Sequence, residues 1–242
     1  MNTLLHIDTS ARPGRSDIDS HGSHTRRLSA RFVERWRAAH PEDRVDYLDV
    51  GGHPPSPVTG AWVHAAFTPP AARESWMQEA LAESDGLLDQ LIAADLIVVG
   101  LPMYNFGVPA QFKAYIDNIV RVGRSFGFDR ARGEVPYWPM LDTGKRLVLL
   151  SSRGDFGYGK GQRIAHLNHT EASVRSVFGY IGIDDVHEIA VEYDEFGGER
   201  LAQSLAQAER AVDRLVDQLS DQEGTRARIT PASAQLPSPL NG

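Results

Sequence analysis

Two short apolar runs, Leu96-Ile97-Val98-Val99 and Leu147-Val148-Leu149-Leu150, constrain this chain's fold more than any other feature. Neither alternates apolar with polar residues, so each predicts a strand covered on both faces, as in a parallel sheet flanked by helices. Their surroundings repeat the theme. Further strands are expected at Thr3 to Thr9, Arg44 to Val50 and Val186 to Val191. Between them, helical spacing of apolar residues predicts helices over Ser23 to Ala39, Glu74 to Ala94, Gln111 to Val122, Thr170 to Ile181 and Glu199 to Leu219. Strand and helix alternate five times, which implies one α/β domain over residues 1–219. Gly51 to Pro70 reads as a long connection rich in Pro and Gly. The tail 220–242 has few apolar anchors and is expected to be disordered.

Composition removes several chemistries. A net charge of −7 gives no basic footprint for nucleic acid. With no cysteine, disulfides, thiolate metal sites and a thiol nucleophile are excluded. No apolar run approaches the roughly 20 residues needed to span a bilayer, and the N-terminus enters a strand without a signal-peptide pattern. A cytoplasmic protein with no membrane partner is the expectation.

Ligands on open parallel sheets bind at the carboxyl ends of strands. Three such ends carry informative residues: Asp8-Thr9-Ser10, Pro102 to Phe106, and Ser151 to Gly161. Ser10 with Ser23-His24-Thr25 would place hydroxyls and backbone N–H groups at a helix N-terminus, a phosphate site that needs no lysine. Simple N-capping by Ser23 is the competing explanation. Met103-Tyr104-Asn105-Phe106 sets aromatic side chains and an amide at a strand tip, with ordinary core packing as the competing explanation for Tyr104 and Phe106.

Other motif matches are weaker. Gly123-Arg124-Ser125-Phe126-Gly127 spells a hydrolase elbow but follows a helix rather than a strand. Gly154 to Gly161 approaches a P-loop, yet Gly161 stands where Ser or Thr must ligate magnesium. The pairs His21/His24 and His166/His169 have no metal-binding motif around them. Arg26, Arg27, Arg31 and Arg35 read as a solvated helix face.

In combination, LLHIDTS, SHTRRLSARFVERW, PMYNFGVPAQFKAYIDNIVRVGRSFGF, SSRGDFGYG and VFGYIGI resemble the FMN-dependent NADH-azoreductase family of flavodoxin-like quinone reductases. The resemblance implies a three-layer sandwich with a five-stranded parallel sheet of order 2-1-3-4-5 and helices on both faces. It implies FMN as cofactor, with Ser10, Ser23, His24 and Thr25 at its phosphate. Met103, Tyr104, Asn105 and Phe106 would line the ring, with Ser152, Arg153, Gly154 and Asp155 as a second ring-contacting loop. Hydride would pass from NAD(P)H to quinones or azo compounds, with no protein acid, base or nucleophile. A homodimer is also implied, and the apolar stripe Phe112, Tyr115, Ile116 and Ile119 is a candidate for its interface. Segment 51–70, Phe126-Gly127-Phe128, Tyr137, Trp138 and Phe156 are candidate walls. The chain departs from the family in a longer loop Arg12 to Gly22, in Asp155 where many members have a second glycine, and in the tail after Leu219. Two other readings stay open at this point: a flavodoxin-type electron carrier, and a nucleotide hydrolase using the 154–161 loop.

Overall fold

The patterning is realised as β1 (Thr3–Asp8), α1 (His24–Ala39), β2 (Arg44–Asp49), α2 (Gly60–Phe67), α3 (Ser75–Ala93), β3 (Leu96–Pro102) and α4 (Ala110–Ile119). Then follow β4 (Phe126–Phe128), β5 (Tyr137–Pro139), β6 (Arg146–Ser152), α5 (Thr170–Ile181), β7 (Asp185–Val191) and α6 (Gly198–Ile229). The computed structural model describes residues 1–229. Five strands form one parallel sheet in the order β2-β1-β3-β6-β7. Counting only sheet strands, this is the expected order 2-1-3-4-5. The fold is the flavodoxin-like sandwich.

Side-chain alternation along the strands builds both layers. Leu5, Ile7, Ile97, Val99, Leu101, Leu147 and Leu149 share one core cluster with residues of α3, α4 and α5. Leu4, Val98, Val148 and Leu150 point the other way and pack with α1 and α6. On that second face, Arg27, Arg31 and Arg35 of α1 meet Glu209, Asp213 and Asp217 of α6, at 2.6, 2.7 and 2.9 Å. Spacing of four residues on both helices makes these pairs a ladder, so three of the four arginines are not simply solvated. The fourth, Arg26, is buried.

Several local expectations differ from the structure. Segment 51–70 contains α2, capped by the Thr59 side chain, rather than a plain connection. Phe126–Phe128 pairs with Tyr137–Pro139 as a two-stranded antiparallel ribbon. Phe112, Tyr115, Ile116 and Ile119 all lie in the chain's own core, so that stripe offers no surface to a second copy. α6 runs past Leu219 to Ile229. Glu223 on this extension accepts from Asn2 Nδ2 at 2.9 Å and also pairs with buried Arg146, tying the helix back to the sheet. The rest of the expected tail, 230–242, lies outside the described residues. Among the described residues, no helix is long and apolar enough to cross a membrane.

Candidate functional site

The carboxyl ends of β1, β3, β6 and β7 surround a groove of two adjoining cavities. The first, about 210 Å³, is lined by Ser10, Arg12, Ser23, His24, Pro102, Met103, Tyr104, Ser152, Gly154, Asp194 and Glu195. The second, about 270 Å³, is lined by Met103, Asn105, Phe106, Gly154, Asp155, Tyr158 and Glu195. Met103, Gly154 and Glu195 belong to both. The first cavity is a polar pole beside a helix N-terminus, and the second carries the aromatic pole.

At the polar pole, the Ser23 side chain caps α1 by accepting from the Arg26 N–H at 3.3 Å. Its hydroxyl also bonds the Thr25 hydroxyl at 2.9 Å. The helix has no acidic residue in its own first turn, and its positive end faces the groove. His24 uses both ring nitrogens, one to Ser16 Oγ at 2.8 Å and the other to Asp194 Oδ1 at 3.1 Å. The bond from His24, partly opposed by burial, holds the Asp194 carboxyl below its ordinary range. The pole thus contains a carboxylate, compensated by His24 and by Arg12 at 3.9 Å.

At the aromatic pole, Tyr104 and Gly107 exchange backbone hydrogen bonds at 3.0 and 3.1 Å, closing a two-residue turn. Its central residues, Asn105 and Phe106, have φ of 49° and 69°. Both sit in the left-handed region, as a type I′ turn demands. Asparagine tolerates this conformation, but phenylalanine there is strained, and such strain clusters at functional sites. The turn is pinned because the His169 N–H donates to the Phe106 carbonyl at 3.0 Å. Phe106 is held 45% exposed, its ring unused by the core.

The loop after β6 follows the alternation of the strand. Ser152 and Gly154 face the groove, whereas Ser151 and Arg153 face α5. Arg153 Nη2 donates to Glu171 at 2.5 Å and Nη1 to Glu192 at 3.1 Å. Burial pushes the Glu171 carboxyl up, but the Arg153 charge and the Ser151 hydroxyl more than offset it and hold the group below 4.5. A Cβ on Gly154 would fall 2.4 Å from Glu195 Oε1, so glycine leaves room for the Glu195 side chain to lie over this loop. Asp155 lines the aromatic pole, but its carboxylate is taken by Arg163 at 2.7 Å and by the Phe156 N–H at 2.7 Å.

Of the twelve residues expected at the phosphate or the ring, all but two line the groove, whereas the candidate walls, segment 51–70, Phe126-Gly127-Phe128, Tyr137, Trp138 and Phe156, do not. Thr25 is fully buried behind Ser23, and the Arg153 side chain turns away beneath the sheet end. Arg12, Tyr158, Asp194 and Glu195 were missed. Asp194 and Glu195 follow β7, so applying the strand-end rule to the fifth strand would have found them. Of the decoys, Ser125 is buried and donates to the Ile119 carbonyl at 2.6 Å, closing a turn. The Gly157 and Tyr158 amides do cradle an anion, but it is the chain's own Glu192, at 3.0 and 3.1 Å. That leaves the hydrolase reading without its phosphate loop. Among the described residues, no three metal-ligating side chains come together.

A family model for the flavodoxin-like fold matches residues 2–216. An "FMN-dependent NADH:quinone oxidoreductase 2" of Idiomarina loihiensis is 43% identical over 200 residues, covering 83% of each chain. An azoreductase structure from Bacillus anthracis superposes with a TM-score of 0.77 at 20% identity, covering 90% of this chain and all of that one. An FMN-dependent NADH-azoreductase of the same species, in complex with FMN, gives 0.75 at 18% identity, covering 89% of this chain and 100% of that one. The chain belongs to the flavodoxin-like family of FMN-dependent NADH:quinone oxidoreductases.

Proposed function

We propose that the groove binds FMN and that the chain reduces quinones and azo compounds with electrons from NAD(P)H. The groove fits FMN on the chemistry of its donors. A phosphate matches the helix N-terminus and buried hydroxyls of Ser10 and Ser23, and a flat ring matches Met103, Phe106 and Tyr158. The observation that carries the reading is the strained Asn105–Phe106 turn, which presents an aromatic ring and an amide at the strand tip and serves no packing purpose. When bound, FMN supplies two-electron hydride chemistry.

The chain's own residues bind and orient. The first turn of α1 supplies backbone N–H groups to the phosphate, and Asn105 with nearby backbone amides meets the polar ring edge. Phe106 and Tyr158 exclude water from one side. His24 and Asp155, the two ionisable residues singled out here from the sequence, are both engaged by other side chains. A nucleotide-independent electron carrier is not favoured, because the curated relatives are named oxidoreductases.

A cytoplasmic homodimer completes the proposal. Its support is the exposed aromatic patch of Phe128, Tyr137 and Tyr180, which is clustered but only partly covered by this chain. With the flavin ring seated beside Asn105, Phe106 and Tyr158, reduced nicotinamide and a flat acceptor must each reach the same open face of that ring, and so should bind in turn. Initial rates with NADH and a soluble benzoquinone are expected to give parallel double-reciprocal lines. Intersecting lines would mean that both substrates bind at once and would refute the shared ring face.

A further inference from the structure

Arg26 is 4% exposed and lies in the first turn of α1, behind the groove rather than in it. Its guanidinium donates from Nε to the Arg12 carbonyl at 2.8 Å and from Nη2 to the Ser10 carbonyl at 2.9 Å. Nη2 also meets Asp49 Oδ1 at 2.5 Å, while Nη1 donates to the Tyr47 hydroxyl at 3.0 Å and lies 3.5 Å from Asp8 Oδ2. Asp8 is held in turn by the hydroxyls of Ser29 at 2.7 Å and Tyr47 at 3.2 Å. Carboxylates at the ends of β1 and β2 therefore hold the cation, and its planar fork is aimed at two carbonyls of the first loop. Gly51 presses on the same place, since a Cβ there would fall 2.0 Å from the Ser10 carbonyl oxygen.

In a trans peptide the C=O and the following N–H point to opposite sides. Drawing the Ser10 carbonyl back to Arg26 therefore turns the Ala11 N–H forward, where it donates to the Tyr104 hydroxyl at the groove, 3.2 Å away. The Arg12 carbonyl belongs to a peptide with Pro13, which has no N–H to offer. Left unheld, that oxygen could only present negative charge to an anion. Arg26 holds it on the far side.

We infer that Arg26 is a positioning residue for the phosphate end of the groove. It keeps two loop carbonyls away from a bound phosphate monoester and the Ala11 amide turned to the groove side, on the Tyr104 hydroxyl, and so sets the preference for phosphorylated over unphosphorylated flavin. The inference rests on the flavin reading proposed above. A lysine would supply the charge that Asp8 and Asp49 require, but not the fork that takes two carbonyls in one plane.

The test is Arg26→Lys in the full-length chain, freed of flavin and titrated with FMN and with riboflavin by quenching of flavin fluorescence. FMN binding should weaken by about tenfold or more, as expected for losing aligned donors to an anion, while riboflavin binding changes by less than about twofold. Should the lysine variant fail to fold, Asp49→Asn removes the charge that anchors Nη2 and should lower the FMN-to-riboflavin affinity ratio by at least about threefold. A ratio unchanged from wild type in the variant that folds would overturn the role of Arg26. A wild-type chain that binds neither flavin would overturn the flavin reading and this inference together.

Discussion

Arg153→Met should destabilise the fold by about 3–5 kcal/mol, the usual consequence of leaving a buried charge without its partner. Arg153 is 7% exposed and Glu171 is 3% exposed, and the two meet at 2.5 Å beneath the end of β6. Glu192 shares the same guanidinium while holding the Gly157 and Tyr158 amides, so the loss would also loosen the loop that forms the aromatic pole. Urea denaturation at neutral pH measures the effect. Its pH dependence has a definite sign. In the wild type the Glu171 carboxyl lies below its ordinary 4.5, so its stabilisation is complete above that pH and is lost as pH falls through the lower folded value. Without Arg153, burial dominates and the carboxyl rises above 4.5, so the variant is penalised most at neutral pH. The gap between the two proteins should therefore narrow as pH drops through 4.5. A cost below 1 kcal/mol, or a gap that widens in acid, would show that the pair is not the support described here.

Phe106→Gly should separate stability from binding. Glycine adopts the left-handed φ of 69° freely, which relieves backbone strain of about 1–3 kcal/mol. Against this stands a loss of about 0.5–1 kcal/mol from glycine's greater freedom in the unfolded chain. The side chain is 45% exposed, so little core packing is forfeited. The flavin-free variant should thus melt no lower than the wild type. Its affinity for FMN should fall about threefold to tenfold, because covering the exposed 45% of the phenylalanine against the ring contributes roughly half of the ~1.5–3 kcal/mol of full burial. Thermal melts and fluorescence titration read the two quantities separately. A lower melting temperature with unchanged affinity would make Phe106 a structural residue and remove the reason for its strained turn.

The sheet was legible because its two central strands carry runs of four apolar residues, at 96–99 and 147–150, and the weaker strands recur between helices of clear period. The β4–β5 ribbon was not, since Phe126–Phe128 and Tyr137–Pro139 are too short to show a period and are joined through Gly133 and Pro136. α2 was hidden by the Pro-rich stretches on either side of it. The extension of α6 depends on Glu223 reaching Asn2 and Arg146, contacts across the whole chain that no local pattern contains.

Within the site, the Met103–Phe106 segment and the Ser10/Ser23/His24 pole were visible as residue types at strand ends. Arg153 was misplaced for want of a parity argument: it shares its side of β6 with Ser151, not with Ser152 and Gly154. Arg26 was misread because burial of a charged helix residue depends on Asp8, Tyr47 and Asp49, which the sequence places far away.

The central claim is that the groove holds FMN, and one measurement reaches it directly. The purified full-length chain, with its absorption spectrum recorded, is heated to release whatever it carries, and the supernatant is separated by chromatography against FMN, FAD and riboflavin standards. A short hydroxyl-lined phosphate pole, without a Gly-x-Gly-x-x-Gly turn for a pyrophosphate, predicts a yellow protein that releases FMN. Release of FAD, or a colourless protein that takes up no FMN when it is supplied, would contradict the account.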